Sequence, residues 1–136
     1  MLAGQRERVT RAHFDLNNSS LRQYIGGLFQ GLAVEQLHAF FLDVDHCYIT
    51  DERVGEGGCG HVAGSLRGLV ARAIDLGARG VVLAHNHPSG CAEPSKGDVE
   101  ATRKVARSLA ELDLVLADHV IVGGATMSSM RGSGLL

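Results

Sequence analysis

Apolar positions recur along this chain at first helical and then extended spacing, and each change of period marks a new element. Leu21, Tyr24, Ile25, Leu28 and Leu32 share one broad helical face, with Ser20-x-x-Gln23 as a start signal. Gly26-Gly27 weakens that helix. Residues 35–44 are apolar on both faces in their middle and read as a central strand. A second strand over 46–54 follows, with Asp45-His46 as its hairpin turn. Leu66, Leu69, Val70, Ala73 and Ile74 again keep helical spacing, capped by Ser65 and ended by Gly77. Gly80-Val81-Val82-Leu83-Ala84 is a short buried strand. A helix over 96–111 turns Val105, Leu109 and Leu112 inward and Arg103, Lys104 and Arg107 outward. On that outer face Glu100–Lys104 and Arg107–Glu111 stand at ion-pair spacing. Strands over 112–116, 119–122 and 126–130 complete the chain, with Gly123-Gly124 as a turn. This order predicts an α/β domain, a mixed sheet covered by helices on its faces.

Residues 1–18 lack periodicity and read as an N-terminal arm, which leaves 19–136 as one domain. Arg6, Arg8 and Arg11 fall in that arm, but Glu7 and Asp15 interrupt their charge, and a solvated tail is the plainer reading. With a net charge of −2, no global field favours nucleic acid or a membrane surface. The three cysteines, Cys47, Cys59 and Cys91, form no C-x-x-C pair, which suits a reducing compartment. No signal peptide or membrane-length apolar run is present, so the expectation is a cytoplasmic protein.

The chemistry concentrates in residues 85–98. His85 and His87 continue the strand begun at Gly80 and project from the same side. Pro88 then ends the ladder, and the chain turns through Ser89-Gly90 and Glu93-Pro94 into a helix at Ser95. Asp98 sits in that helix's first turn. Ser95-x-x-Asp98 alone is explained by helix capping, but capping does not account for His-x-His immediately upstream. Two imidazoles from a strand end and one carboxylate from a helix start can meet at a point, leaving one position open. That is the ligand set of a catalytic divalent metal, zinc first. The glycine-rich loop over 55–60 lacks the Gly-Lys-Ser/Thr ending of a P-loop, and His61 reads as a loop residue.

His85-Asn86-His87-Pro88-Ser89-Gly90, then Pro94-Ser95, then Asp98, resembles the JAMM metalloprotease motif as it occurs in RadC-like proteins. The resemblance runs from about Glu35 to the ending Ser129-Met130-Arg131-Gly132-Ser133-Gly134-Leu135-Leu136. It implies a three-layer JAB/MPN fold, related to cytidine deaminases, with zinc on His85, His87 and Asp98. It also implies a glutamate base upstream of the histidines. Glu35 matches that position best, with Glu52 and Glu56 as rivals nearer in sequence. Ser95, by the same resemblance, would hydrogen-bond the developing oxyanion or the metal-bound water. The chain departs from the family where the second helix begins, offering Ser65-Leu66 in place of a His-Pro pair. Asp118-His119 resembles a family pair, and a buried structural role suits it equally well.

The function expected is zinc-dependent hydrolysis of peptide or isopeptide bonds, with one Zn2+ per chain and a peptide or protein substrate. A non-catalytic metal-binding module of a DNA-repair-associated protein is the alternative. An Fe(II) oxygenase would sit in an all-β barrel, and a zinc deaminase needs a Pro-Cys-x-x-Cys pair that is missing. An HNH nuclease signature is spread along a chain and is not a literal His-Asn-His. Strong nucleic-acid binding is not expected, and a homo-oligomer is left open. Cys91, two residues past Ser89, is the thiol nearest the site in sequence; it could reach the metal's open position, but an ordinary loop cysteine is the plainer reading.

Overall fold

The computed structural model describes residues 12–57 and 62–136. Gly58, Cys59, Gly60 and His61, and the arm arginines 6, 8 and 11, lie outside the described residues. Helix α1 (Ser19–Phe29) is capped by Asn18, whose side chain accepts the Leu21 N–H, and not by Ser20. Strands β1 (Gln36–Leu42) and β2 (Tyr48–Glu56) form the expected hairpin, turning at His46 with φ 65°. Helix α2 (Val62–Asp75) starts ahead of Ser65, which therefore lies inside it and is no cap. Then come β3 (Gly80–Asn86), α3 (Lys96–Ala110), β4 (Val115–Gly123) and β5 (Thr126–Ser129).

The five strands make one mixed sheet in the order β2-β1-β3-β4-β5, with β3 and β4 parallel and the other pairs antiparallel. Its two faces carry separate cores. Ile25 and Phe29 of α1 pack with Phe40, Val82 and Val120 on one side. Leu69 and Ala73 of α2 and Val105 and Leu109 of α3 pack with Leu37, Phe41 and Leu83 on the other. The result is the three-layer α/β arrangement expected. On the α1 side, Tyr24, Tyr48 and His38 all bond to the carboxylate of Asp51. Burial pushes that carboxyl's pKa up, but the hydrogen bonds from Tyr48, His38 and Tyr24 outweigh it and hold it below the ordinary value. Residues 12–18 also dock here, with Phe14 buried and its N–H donated to the His46 carbonyl.

Four local expectations are corrected. The two strands placed at 112–116 and 119–122 are one, because a bulge at Ala117 keeps β4 continuous: Val81 pairs with Leu116 and Val82 with Asp118. Leu112 is 53% exposed, since α3 ends at Ala110 and the turn through Asp113 (φ 59°) gives its place in the core to Leu114. Ile74 is also exposed, as the buried stripe of α2 runs through Leu69 and Ala73 toward Leu76. The pairs Glu100–Lys104 and Arg107–Glu111 do not close; among the described residues, Arg53–Glu56 and Arg72–Glu52 do. Exposed pairs of this kind gain too little to fix two long side chains.

The end of β4 also supports the loop after β3. A Cβ at Gly123 would lie 2.5 Å from the Ala92 nitrogen and 2.8 Å from the Gly90 carbonyl oxygen. Only glycine permits that approach. Gly123→Ala should therefore destabilise the protein by roughly 1–3 kcal/mol in urea unfolding, as overpacking does elsewhere. An unchanged unfolding midpoint would show that the loop gives way freely.

Candidate metal centre

The parallel pair β3–β4 brings its carboxyl ends together, and in open α/β sheets ligands bind at such ends. The α2/α3-facing side of β3 carries Val81, Leu83 and then His85, which is fully buried. His87 lies just past the strand, its N–H still donated to Val122 of β4. The two Nε2 atoms stand 3.0 Å apart. Facing them is Asp98, on the stripe of α3 that buries Thr102, Val105 and Leu109 further along. Its carboxylate oxygens lie 3.5 Å from His85 Nε2 and 3.1 Å from His87 Nε2. Glu35, just ahead of β1, places Oε1 3.9 Å and 3.6 Å from the same two nitrogens. Donor atoms of Glu35, His85 and His87 all fall within 4.8 Å of one another, and this group could hold a metal ion.

Hydrogen bonds behind these atoms fix their orientation. His87 Nδ1 faces the Cys91 carbonyl at 2.8 Å, so it must carry the proton there. In the neutral ring Nε2 is then a lone pair aimed into the site. His85 Nδ1 meets His119 Nε2 at 2.7 Å, and His119 Nδ1 meets the Thr102 hydroxyl at 2.7 Å. This chain also exposes the His85 Nε2 lone pair when each Nδ1 donates outward. Metal-bound imidazoles are typically held in this way by a partner on the other nitrogen. His119 reaches the site because of the bulge: Leu116 and Ala117 face opposite cores, and the extra residue turns His119 toward α3.

Protonation states agree with this picture. Burial lowers the His85 pKa to about 4; Asp98 pulls the other way, and His87 adds to the lowering. Burial takes His119 down to about 3. Both rings are neutral at pH 7. For Asp98, burial raises the pKa, but the Ser95 N–H, the neighbouring His85, the Ser95 hydroxyl and His87 together hold it below the ordinary value. Its carboxylate is ionised.

Ser95 and Asp98 form a capping box: Asp98 N–H donates to Ser95 Oγ at 3.0 Å, and Ser95 N–H donates to Asp98 Oδ2 at 2.8 Å. Capping therefore aims the carboxylate as well as starting the helix. Glu35 is the glutamate brought to the histidines. Glu52 is paired with Arg72 and Glu56 with Arg53. Cys91 enters through its backbone carbonyl, while its side chain is exposed. Three participants escaped the sequence reading of the site. Thr102 stands four residues after Asp98 on the same helical face, which is a legible spacing. Asn86 is a polar residue in a buried strand, also a usable signal. His119 was read as half of an Asp-His pair resembling one in the family, with sheet support and a catalytic part both left open, since its facing depends on the bulge.

A groove of about 710 Å³ opens beside His87, between Gly26 and Gly27 of α1 with Gln30 just past it, and Ala125 of the β4–β5 turn with Met127 of β5. Among the described residues no helix is long and apolar enough to cross a membrane. The mixed sheet between helices and the histidine–carboxylate cluster at its carboxyl edge agree with a match along nearly the whole chain. A family model described as RadC-like JAB domain covers residues 16–135, and the chain belongs to that family.

Proposed function

We propose that the protein is a zinc-dependent hydrolase of peptide or isopeptide bonds. One observation carries this reading: two imidazole nitrogens and an ionised carboxylate converge at 3.0–3.5 Å, with a second carboxylate beside them. Tetrahedral zinc with bonds of about 2.0–2.1 Å spaces its donor atoms roughly 3.3 Å apart, so the first three groups fit it. The oxygens of Asp98 lie closer to both histidines than Glu35 Oε1 does. We therefore assign His85, His87 and Asp98 to the metal and Glu35 to proton transfer. When bound, zinc supplies a Lewis acid that polarises a carbonyl and acidifies a water molecule.

The chain's own groups do the rest. Glu35 takes a proton from the attacking water and delivers it to the departing amine, which leaves poorly without it. Its side chain is 37% exposed, so substrate can reach it. Ser95 Oγ accepts from the Asp98 backbone, and its hydroxyl proton, which at rest stabilises the Asp98 carboxylate, is the donor we assign to the developing oxyanion of the substrate. The groove beside His87 gives an extended peptide a way in. The exposed Cys91 thiol suits a reducing compartment, and on that ground we place the protein in the cytoplasm; with a net charge of −2 it has no strong nucleic-acid partner in this reading.

Metal analysis of the purified protein should find one zinc per chain, lost in His85→Ala, His87→Ala and Asp98→Ala. Full zinc affinity in Asp98→Ala would make that residue a helix cap alone. His119→Ala should weaken zinc binding by about 10–100-fold in chelator competition, because His85 loses the partner that orients it.

Glu35→Gln keeps the shape and removes the base. It should retain fold and zinc while lowering turnover of a model peptide by about 10²–10⁴-fold. Glu52→Gln and Glu56→Gln should leave turnover near wild type. Full activity in Glu35→Gln would remove Glu35 from the chemistry, and no cleavage by the zinc-loaded wild type would remove the hydrolase.

A further inference from the structure

Along β3 the positions facing α1 are Val82, Ala84 and then Asn86. The first two are apolar and closed; Asn86 is polar yet only 4% exposed. A buried carboxamide is costly unless its groups are bonded. Those of Asn86 are bonded to one short segment. Its Oδ1 accepts the Gln36 N–H at 2.7 Å, and its Nδ2 donates to the Val34 carbonyl at 3.1 Å. The two contacts bracket Glu35.

Backbone pairing explains why this bracket matters. The β1–β3 ladder ends at Leu37–His85, and the next free N–H of the β3 side, that of His87, turns away to Val122. Nothing in the backbone of β3 then holds residues 34–36. The side chain of Asn86 continues the ladder in its place, acting as a peptide group would. On its other side, Glu35 offers its carbonyl to the Gly57 N–H at 2.7 Å. Glu35 lies outside β1, and Val34 beside it is 53% exposed. Without the bracket this segment would be held from the β2 side alone, through Gly57 and the Gln36–Glu56 pairing.

We propose that Asn86 is a positioning residue that acts through Glu35: by bridging Val34 and Gln36 it holds the Glu35 carboxylate against His85 and His87. The proposal rests on Glu35 being the base. It explains why a carboxamide stands between the two histidines: alternation sends it to the opposite face of the strand, where it reaches the segment carrying the base. A hydroxyl or a methyl there could not accept from Gln36 and donate to Val34 with the same planar geometry.

The test uses the zinc-loaded full chain and has two arms. In amide hydrogen exchange, Asn86→Ala should speed exchange at Gln36 and also at Gly57, which Asn86 does not touch, by about five- to tenfold. Zinc content should stay at the wild-type value. In model-peptide cleavage, Asn86→Ala should lower kcat by about 10²-fold with KM unchanged, the cost of a misplaced catalytic group. In a Glu35→Gln background the same change should cost nothing further. An equal loss in both backgrounds, or wild-type exchange at Gly57, would overturn the proposal. If Asn86→Ala does not fold, Asn86→Asp serves: it keeps the acceptor for Gln36 and loses the donor to Val34, and it should fail the same cycle in the same way. A wild type that cleaves no peptide defeats the hydrolase reading, and the exchange arm then decides the bracket by itself.

Discussion

Everything in this structure turns on lone pairs held face to face. His85 Nε2, His87 Nε2 and the Asp98 carboxylate approach to 3.0–3.5 Å in a place mostly closed to water. Such groups repel unless a proton or a cation lies between them. A proton is a poor solution at His85, since burial drives its pKa down to about 4. The fold therefore spends hydrogen bonds on keeping acceptors together. Ser95 fixes the carboxylate, Cys91 fixes one ring, and His119 with Thr102 fixes the other.

Each of these supports comes from a different element, which is why the α/β layering matters. A parallel strand pair gives two strand ends on one edge, and the crossover helix between them starts at that same edge. One helix start then offers an N-terminal carboxylate to a histidine pair without any further loop. The bulge at Ala117 adds the last part, since an unbulged β4 would bury His119 against α1. Gly123 completes the edge by letting the loop at 90–92 lie flat on β4.

Much of this was legible in the residues. The histidine pair, Pro88, and the Ser95–Asp98 box each follow a local rule of period or capping, and local rules do not need the rest of the chain. Glu35 needed the family resemblance, because a lone glutamate ahead of a strand carries no local mark. What could not be read were effects of pairing. The bulge in β4 changes which face His119 takes, and it arises from register against β3 and not from the alternation of Val115-Leu116-Ala117-Asp118. The cap at Asn18 and the helix start ahead of Ser65 were also missed: Ser20 and Ser65 are good caps by type, but Asn18, two residues earlier, takes the cap of the first helix, and the second already begins at Val62. Leu112 and Ile74 have helical spacing and lose their place at the ends of their stripes, where the chain turns away from the sheet.

The central claim is that Asp98 and the two histidines hold the metal while Glu35 stands free of it. Anomalous diffraction at the zinc edge from crystals of the loaded protein tests this directly. The account predicts one peak about 2.0–2.2 Å from His85 Nε2, His87 Nε2 and an Asp98 oxygen, with Glu35 beyond bonding distance. A peak bonded to Glu35 with Asp98 left on its helix cap would contradict it.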